Sequence, residues 1–257
     1  MADPRHGGEF GFTAVEGATE LPCSPTANFK QRLASGQAVT VVNPDHPSAG
    51  LVEFLGNLPV DAIFIDCEQG SPDVETVEHM ARAARLSGCA SLVRLFSPED
   101  WVIERFMGRG IDGIVVPRLD TAEQAARTVE AVRYCFPDGH EDKIVVVQIE
   151  TANALDTLDA FLATDGIDVF FLGPVDLAKA FGHSGDYRHP AMSERINAAI
   201  ARIRKAGKPA GILVGHDDVR DYLGLGIQFL YTHANHFLQL GADAFASEVG
   251  TGSSYQG

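Results

Sequence analysis

An α/β fold, a closed (β/α)8 (TIM) barrel with an irregular N-terminal arm, is what this sequence predicts, and three observations predict it. Eight short apolar, β-branched runs recur along the chain, amphipathic stretches separate most of them, and polar residues gather just after the runs end. The length of 257 residues suits one such barrel. An open doubly wound sheet is the alternative, but the Gly-rich phosphate turn that favours it is missing after the early strands.

Residues 1–28 are rich in Gly, Pro and small polar residues without a sustained period, and read as an irregular arm carrying no chemistry. The barrel domain is expected over 29–257. Its first two strands are AVTVV (38–42) and AIFID (62–66). The helical pattern VETVEHMARAARLSG (74–88) leads to SLVR (91–94), and PEDWVIERFMGRG (98–110) leads to GIVVP (113–117). TAEQAARTVEAVRYC (121–135) precedes the long run KIVVVQIE (143–150), and TLDAFLAT (157–164) precedes DVFFLG (168–173). SERINAAIARIRKAG (193–207) joins AGILV (210–214), FLYTH (229–233) follows, and HFLQLGADAFASEV closes the chain as a C-terminal helix. Several helical patterns end on Gly, as a C-cap requires.

The formal charge of −15 argues against nucleic acid or an anionic membrane as partner, since both need a basic patch. An anionic substrate must then be caught by a few placed arginines. No apolar run approaches the ~18 residues of a membrane span. Cys23, Cys67, Cys89 and Cys135 are widely spaced, with no CxxC pair and no secretory leader, so a reduced cytoplasmic setting without disulfides is expected.

A barrel places its chemistry at the C-terminal ends of its strands. Those ends carry Asp66, Glu68 and Gln69, then Arg94, Arg118, Glu150, Gly173, Pro174 and Asp176, His216 and His233. Glu150 and Asp176 follow neighbouring strands, and two carboxylates plus waters suit Mg²⁺ or Mn²⁺. Asp176 equally fits an N-cap for a helix starting near Leu177. Arg94 at the tip of an apolar strand either pairs with Asp66 or Glu68 or awaits an anionic ligand. Gly173 and Pro174 either present main-chain N–H groups to a carboxylate or form an ordinary turn.

The stretches DAIFIDCEQG, SLVRL, VVVQIETANALD, GIDVFFLGPVDLAKAFGHSG, HP and KPAGILV, in this order and spacing, resemble the HpcH/HpaI family of metal-dependent class II pyruvate aldolases over roughly residues 30–250. The resemblance implies a divalent metal (Mg²⁺, Mn²⁺ or Co²⁺) on Glu150 and Asp176, a 2-oxo acid chelated there and reacting as a metal-bound enolate, and Arg94 at its keto oxygen. It implies a carboxylate seat in the GPVD turn (Gly173, Pro174, Val175, Asp176), an aldehyde as second substrate and a homo-oligomer, a hexamer built as a trimer of dimers. A Lewis acid and a cation both stabilise the charge of a forming enolate.

Two positions depart from the family pattern. Gln69 stands where the family has a proton-transferring histidine, and Gly108 where that histidine's aspartate partner is expected. Glutamine does not titrate, so the usual relay is missing. The segment RYCFPDGHEDKIVV is also shorter than its family counterpart, which removes part of the usual cover.

His233, where the family usually has a small residue, and His216 each supply an imidazole as a replacement base, or satisfy local backbone groups instead. Arg118 grips a second substrate carboxylate, or pairs with Asp120 or Glu150. Metal-bound water with Glu68 or Asp66 is expected to handle protons, with Gln69 orienting that water or the electrophile. The expected function is a carbon–carbon lyase cleaving or forming an aldol bond next to pyruvate or a related 2-oxo acid. The alternatives are a 2-oxo acid decarboxylase or another enolate lyase or synthase, and a non-catalytic protein binding metal and 2-oxo acid.

Overall fold

The computed structural model describes residues 24–250. Its strands are β1 (Val39–Asn43), β2 (Ala62–Asp66), β3 (Ala90–Arg94), β4 (Gly113–Val116), β5 (Ile144–Ile149), β6 (Val169–Leu172), β7 (Ala210–Leu213) and β8 (Phe229–His233). All run parallel and pair in sequence order, and β8 returns to β1 to close the barrel. Every strand lies within a residue of its expected bounds, because runs buried on both faces are continuously apolar and easily read.

The helices are α1 (Pro25–Ala34), α2 (Ala49–Leu55), α3 (Val74–Leu86), α4 (Asp100–Met107), α5 (Ala122–Cys135), α6 (Ala152–Asp156), α7 (Leu158–Leu162), α8 (Pro174–Ala180), α9 (Pro190–Lys205), α10 (Val219–Gly224) and α11 (Ala234–Val249). Gly88 and Gly207, with φ of 80° and 71°, stop α3 and α9 in the left-handed conformation that glycine takes without a steric cost. Helix α1 corrects the extent of the irregular arm. It begins at Pro25, where the Ser24 hydroxyl accepts the Ala27 N–H at 3.1 Å and Pro occupies the first turn. Residues 1–23, Cys23 included, and 251–257 lie outside the described residues.

Helix α1 lies across the N-terminal end of the barrel. Phe29 packs edge-on to Phe229 at 6.3 Å, and three aspartates preceding strands are fastened there. Asp61, Asp112 and Asp168 accept the N–H groups of Thr40, Ser91 and Val145 at 2.7, 2.9 and 2.8 Å. From α1, Arg32 meets Asp61, Thr26 donates to Asp112 at 2.8 Å, and Lys30 pairs with Asp168 at 3.1 Å.

Inside the barrel, alternate residues of each strand point to the axis. The inward series are Val39, Val41, Asn43; Ala62, Phe64, Asp66; Ala90, Leu92, Arg94; Ile144, Val146, Gln148; and Phe229, Tyr231, His233. Each is apolar low in the barrel and polar in its last member. Register aligns those last members, with Asp66 beside Arg94 and Asn43 beside His233. The opposite faces form the larger core between sheet and helices, with Ile63, Ile65, Val93, Ile114, Val147 and Leu172 among its fully buried members.

Candidate active site

Arg94 is the anchor of the C-terminal mouth. It is 8% exposed, and its Nε and one terminal nitrogen donate to the two Asp66 oxygens at 2.9 and 2.5 Å. The other terminal nitrogen lies 3.3 Å from Glu68. The guanidinium sits over the Phe64 ring at 5.6 Å, an apolar and weakly attractive floor. Burial alone would push the Asp66 carboxyl up, but the Arg94 bonds and charge, with the Gln69 and Glu68 N–H groups, hold it below its ordinary value. Asp66 is therefore a fixed anion that orients a cation, and Arg94 is paired in the way expected while still lining the cavity.

Glu68 is wedged between two arginines, with Arg118 Nε at 2.7 Å on its other oxygen. Arg118 has φ 57°, rare for a non-glycine residue, and in that conformation its main-chain N–H donates to Glu150 at 2.6 Å. Of the pairings expected for Arg118, the side chain takes neither Asp120 nor Glu150; Glu68 holds it. Glu150 is buried, and its second oxygen accepts from the Gln148 amide. Burial pushes Glu150 up to about 7, the Arg118 N–H works against this, and the charges of Glu68 and Asp176 add to it.

Gly173 has no room for a side chain. A Cβ there would lie 2.8 Å from the Glu150 Cβ and 2.9 Å from its Oε2. Its N–H continues the ladder to Ile149 at 3.0 Å, and Pro174 has no N–H to give. Of the four residues expected to form a main-chain seat, this leaves the first-turn N–H groups of Val175 and Asp176, which have no intrahelical partner. Asp176 is not the cap, since Gly173 takes that position; its carboxylate meets Lys179 at 2.9 Å.

A cavity of about 220 Å³ gathers Asp66, Gln69, Arg94, Gln148, Tyr231 and His233 with the Gly173–Asp176 turn. A second, of about 160 Å³, adjoins it between the loops after β1 and β2 and shares Asp66, Gln69 and His233 with it. His233 Nδ1 lies 2.5 Å from Asp45. His216 is not brought here: it lines a separate groove with Val219, Phe237 and Leu240, so it shares no space with Arg94. Gly108 caps α4 and meets only backbone oxygens of its own helix. Cys67 lies beside the mouth, and burial pushes its thiol up to about 12.

Gln148, Asn43 and Asp45 went unread in the sequence. The signal for the first two is parity: a polar residue at an inward position of an apolar strand, as in VVVQIE and VTVVN. Asp45 had none, lying in an irregular loop.

The donor set fits a hard divalent cation. Among the described residues no three His, Cys, Asp or Glu side chains converge to hold a metal, so Glu150 and Asp176 would have to be completed by water and substrate oxygens. Two observations favour this: the acidic crowding around Glu150, and the Gln148 Oε1, which is buried beside it without a hydrogen-bond partner.

A parallel (β/α)8 barrel with its charged residues gathered at the C-terminal ends of the strands belongs to the class of barrel proteins that carry their chemistry at that face. The particular family follows from comparison with known proteins: the HpcH/HpaI aldolase/citrate lyase model matches residues 46–246, and the chain belongs to that family. A hydroxypyruvate/pyruvate aldolase of Roseovarius nubinhibens is 32% identical over 80% of this chain and 90% of its own. A 5-keto-4-deoxy-D-glucarate aldolase of Klebsiella pneumoniae is 33% identical over 69% of this chain and 78% of its own. Among solved structures, a HpcH/HpaI aldolase/citrate lyase family protein of Burkholderia cenocepacia superposes with a TM-score of 0.80 at 24% identity, covering 86% of this chain and 98% of its own.

Proposed function

We propose that this protein is an aldolase-type carbon–carbon lyase that makes or breaks the bond between the carbon α to the oxo group of pyruvate, hydroxypyruvate or a related 2-oxo acid and the carbonyl carbon of an aldehyde, its second substrate. The observation that carries the reading is Arg94, clamped by Asp66 in a cavity shared with Asp176, with the charges of Arg94 and Asp176 both felt by the buried Glu150. Glu150 and Asp176 would hold Mg²⁺, Mn²⁺ or Co²⁺, which supplies Lewis-acid polarisation of the 2-oxo acid. Arg94, held rigid, faces the oxygen on which charge develops, where a preorganised cation lowers the barrier. The N–H groups of Val175 and Asp176, at the turn opened by Gly173 and Pro174, seat the carboxylate. Arg118 and Glu68 set the rim, and a substrate with a second carboxylate competes with Glu68 for the Arg118 fork. Gln69 positions the second substrate by hydrogen bonding, and His233 moves the proton.

The same reading includes a homo-oligomer, with the hexamer as its specific form, in the cytoplasm. Helix α11 supports association: Ala234 is its only buried residue, while Leu238, Phe245 and Val249 are exposed. Among the described residues no helix is long and apolar enough to cross a membrane.

Gln69 in the cavity wall favours a second reading, in which the enolate core serves a decarboxylase or another lyase or synthase, or binds without turnover. One experiment separates these. With Mn²⁺ and pyruvate in D₂O, an enolate-forming enzyme exchanges the methyl protons and chelator stops the exchange. Pyruvate binding without exchange or turnover would support a binding protein and remove the lyase reading.

A further inference from the structure

The mouth holds several ionisable groups, and nearly all are engaged. Asp66 is tied to Arg94, Glu68 lies between Arg94 and Arg118, Asp176 is paired with Lys179, and both Glu150 oxygens accept hydrogen bonds. Tyr231 accepts from the Asn43 amide at 3.1 Å, and burial pushes its phenol up to about 12. His46 lines only the outer cavity, away from Arg94. His233 differs from all of these. It stands on the wall common to both cavities, and among the described residues its Nε2 has no hydrogen-bond partner.

Its Nδ1 is held by a purpose-shaped loop. Asp45 follows β1 in the left-handed conformation, φ 64°, and its N–H donates to the Asn43 side chain at 2.9 Å. One Asp45 oxygen takes the His233 Nδ1 at 2.5 Å, and the other accepts the Asn235 N–H at 2.9 Å. A carboxylate at Nδ1 fixes the tautomer, placing the proton on Nδ1 and the lone pair on Nε2. Strained backbone held in place by three bonds is a mark of a positioned group. The Tyr231 and His236 rings lie 5.1 and 5.3 Å from that of His233, Asp66, Arg94, Asp176 and Lys179 line the same cavity, and Asp45 and His46 line the adjoining one.

We propose that His233 is the proton-transfer group of this site and Asp45 its positioning residue, a dyad bridging the first and last strands. The inference rests on the lyase reading above. In the cleavage direction, Nε2 takes the proton from the hydroxyl on the carbon to be released. The O–H electron pair becomes the carbonyl π bond of the departing aldehyde. The C–C bond breaks, and its electron pair enters the 2-oxo acid as the enolate, whose oxygen faces Arg94. The imidazolium then returns the same proton to the enolate carbon, which gives the methyl group and restores neutral His233. Addition runs through the same steps in reverse.

Methyl-proton exchange of pyruvate in D₂O with Mn²⁺ tests this on the full chain, with pyruvate affinity measured separately by calorimetry. His233→Gln should lose at least about 100-fold in exchange rate, the scale of general-base catalysis, with pyruvate affinity unchanged. His233→Ala should regain part of that rate on addition of imidazole, which a purely structural role would not allow. Asp45→Asn is the conservative probe, since asparagine tolerates the left-handed backbone. It should lose about 10–100-fold, again without loss of affinity, and the far-downfield Nδ1–H proton resonance of the wild type should disappear. Wild-type exchange that persists undiminished in His233→Gln and Asp45→Asn would overturn the dyad and leave the lyase reading standing. Absence of exchange and turnover in the wild type would overturn both.

Discussion

Aspartates stand at both ends of this barrel, and the two sets have different partners. At the N-terminal end Asp61, Asp112 and Asp168 each accept a main-chain N–H from the neighbouring strand and are tied to α1. At the C-terminal end Asp66 and Asp45 grip side chains, the Arg94 guanidinium and the His233 imidazole. Both sets accept main-chain N–H groups and both hold side chains, but the side chains differ in where they stand. Thr26, Lys30 and Arg32 come from α1, so the N-terminal aspartates fasten a helix to the strands, whereas Arg94 and His233 are strand residues that line one cavity. The two ends are therefore told apart by what the carboxylates' partners face.

The largest expected effect tests the functional end. Arg94→Lys keeps the charge but loses the two-toothed grip of Asp66, and the turnover number should fall about 10²–10³-fold, the cost of losing one aligned donor at a developing anion. An undiminished turnover number in a variant with wild-type circular dichroism would mean that Asp66 and Arg94 serve the fold, like the aspartates below.

The next effect concerns the crowding that only this end shows. In metal-free protein Glu150 holds its proton up to about 7, while in the unfolded chain it releases it near 4.3. The stability from this tighter proton is fully present below the unfolded value and is lost as pH rises through 7, a change of about 4 kcal/mol. Thermal melts from about pH 5 to about pH 8 should show this slope in the wild type and not in Glu150→Gln. Mn²⁺ should offset the loss at the alkaline end only where Glu150 is present. Equal slopes in both proteins would assign the pH dependence to other groups.

The smallest effect belongs to the other end. Asp112→Ala leaves the buried Ser91 N–H without its acceptor and should lower stability in urea by about 1–2 kcal/mol. Turnover per folded molecule should not change. A loss of turnover larger than the loss of folded protein would show that the N-terminal ties reach the mouth, and the division between the two ends would fail.

The strands were legible because their signal is local and redundant: four to six apolar residues bounded by polar ones. The short helices α2, α6 and α10 were not, since segments of five to seven residues complete too few turns to show a period, and α7 and α8, equally short, were read from an apolar run and from turn chemistry at their starts. At the site, Asp66, Arg94, Glu150 and Asp176 were visible as polar strand ends. Their partners were visible only in part, because a pairing such as Arg118 with Glu68 depends on one residue adopting a left-handed backbone. Asp45 was invisible for the same reason. The GPVD turn was legible as a strand end, but not that Gly173 spends its N–H on the ladder to Ile149, which leaves only Val175 and Asp176 with free N–H groups there.

Asp45 and His233 are 188 residues apart, and they meet only at the seam where β8 pairs with β1 to close the barrel. Contacts between such distant segments form late, after the loop between them has been closed. A chain still emerging from the ribosome thus has its arginine clamp within reach early, since Asp66 and Arg94 are 28 residues apart, but brings Asp45 to His233 only once β8 has been made. If the proposed dyad carries the proton, turnover recovered on refolding counts closed barrels.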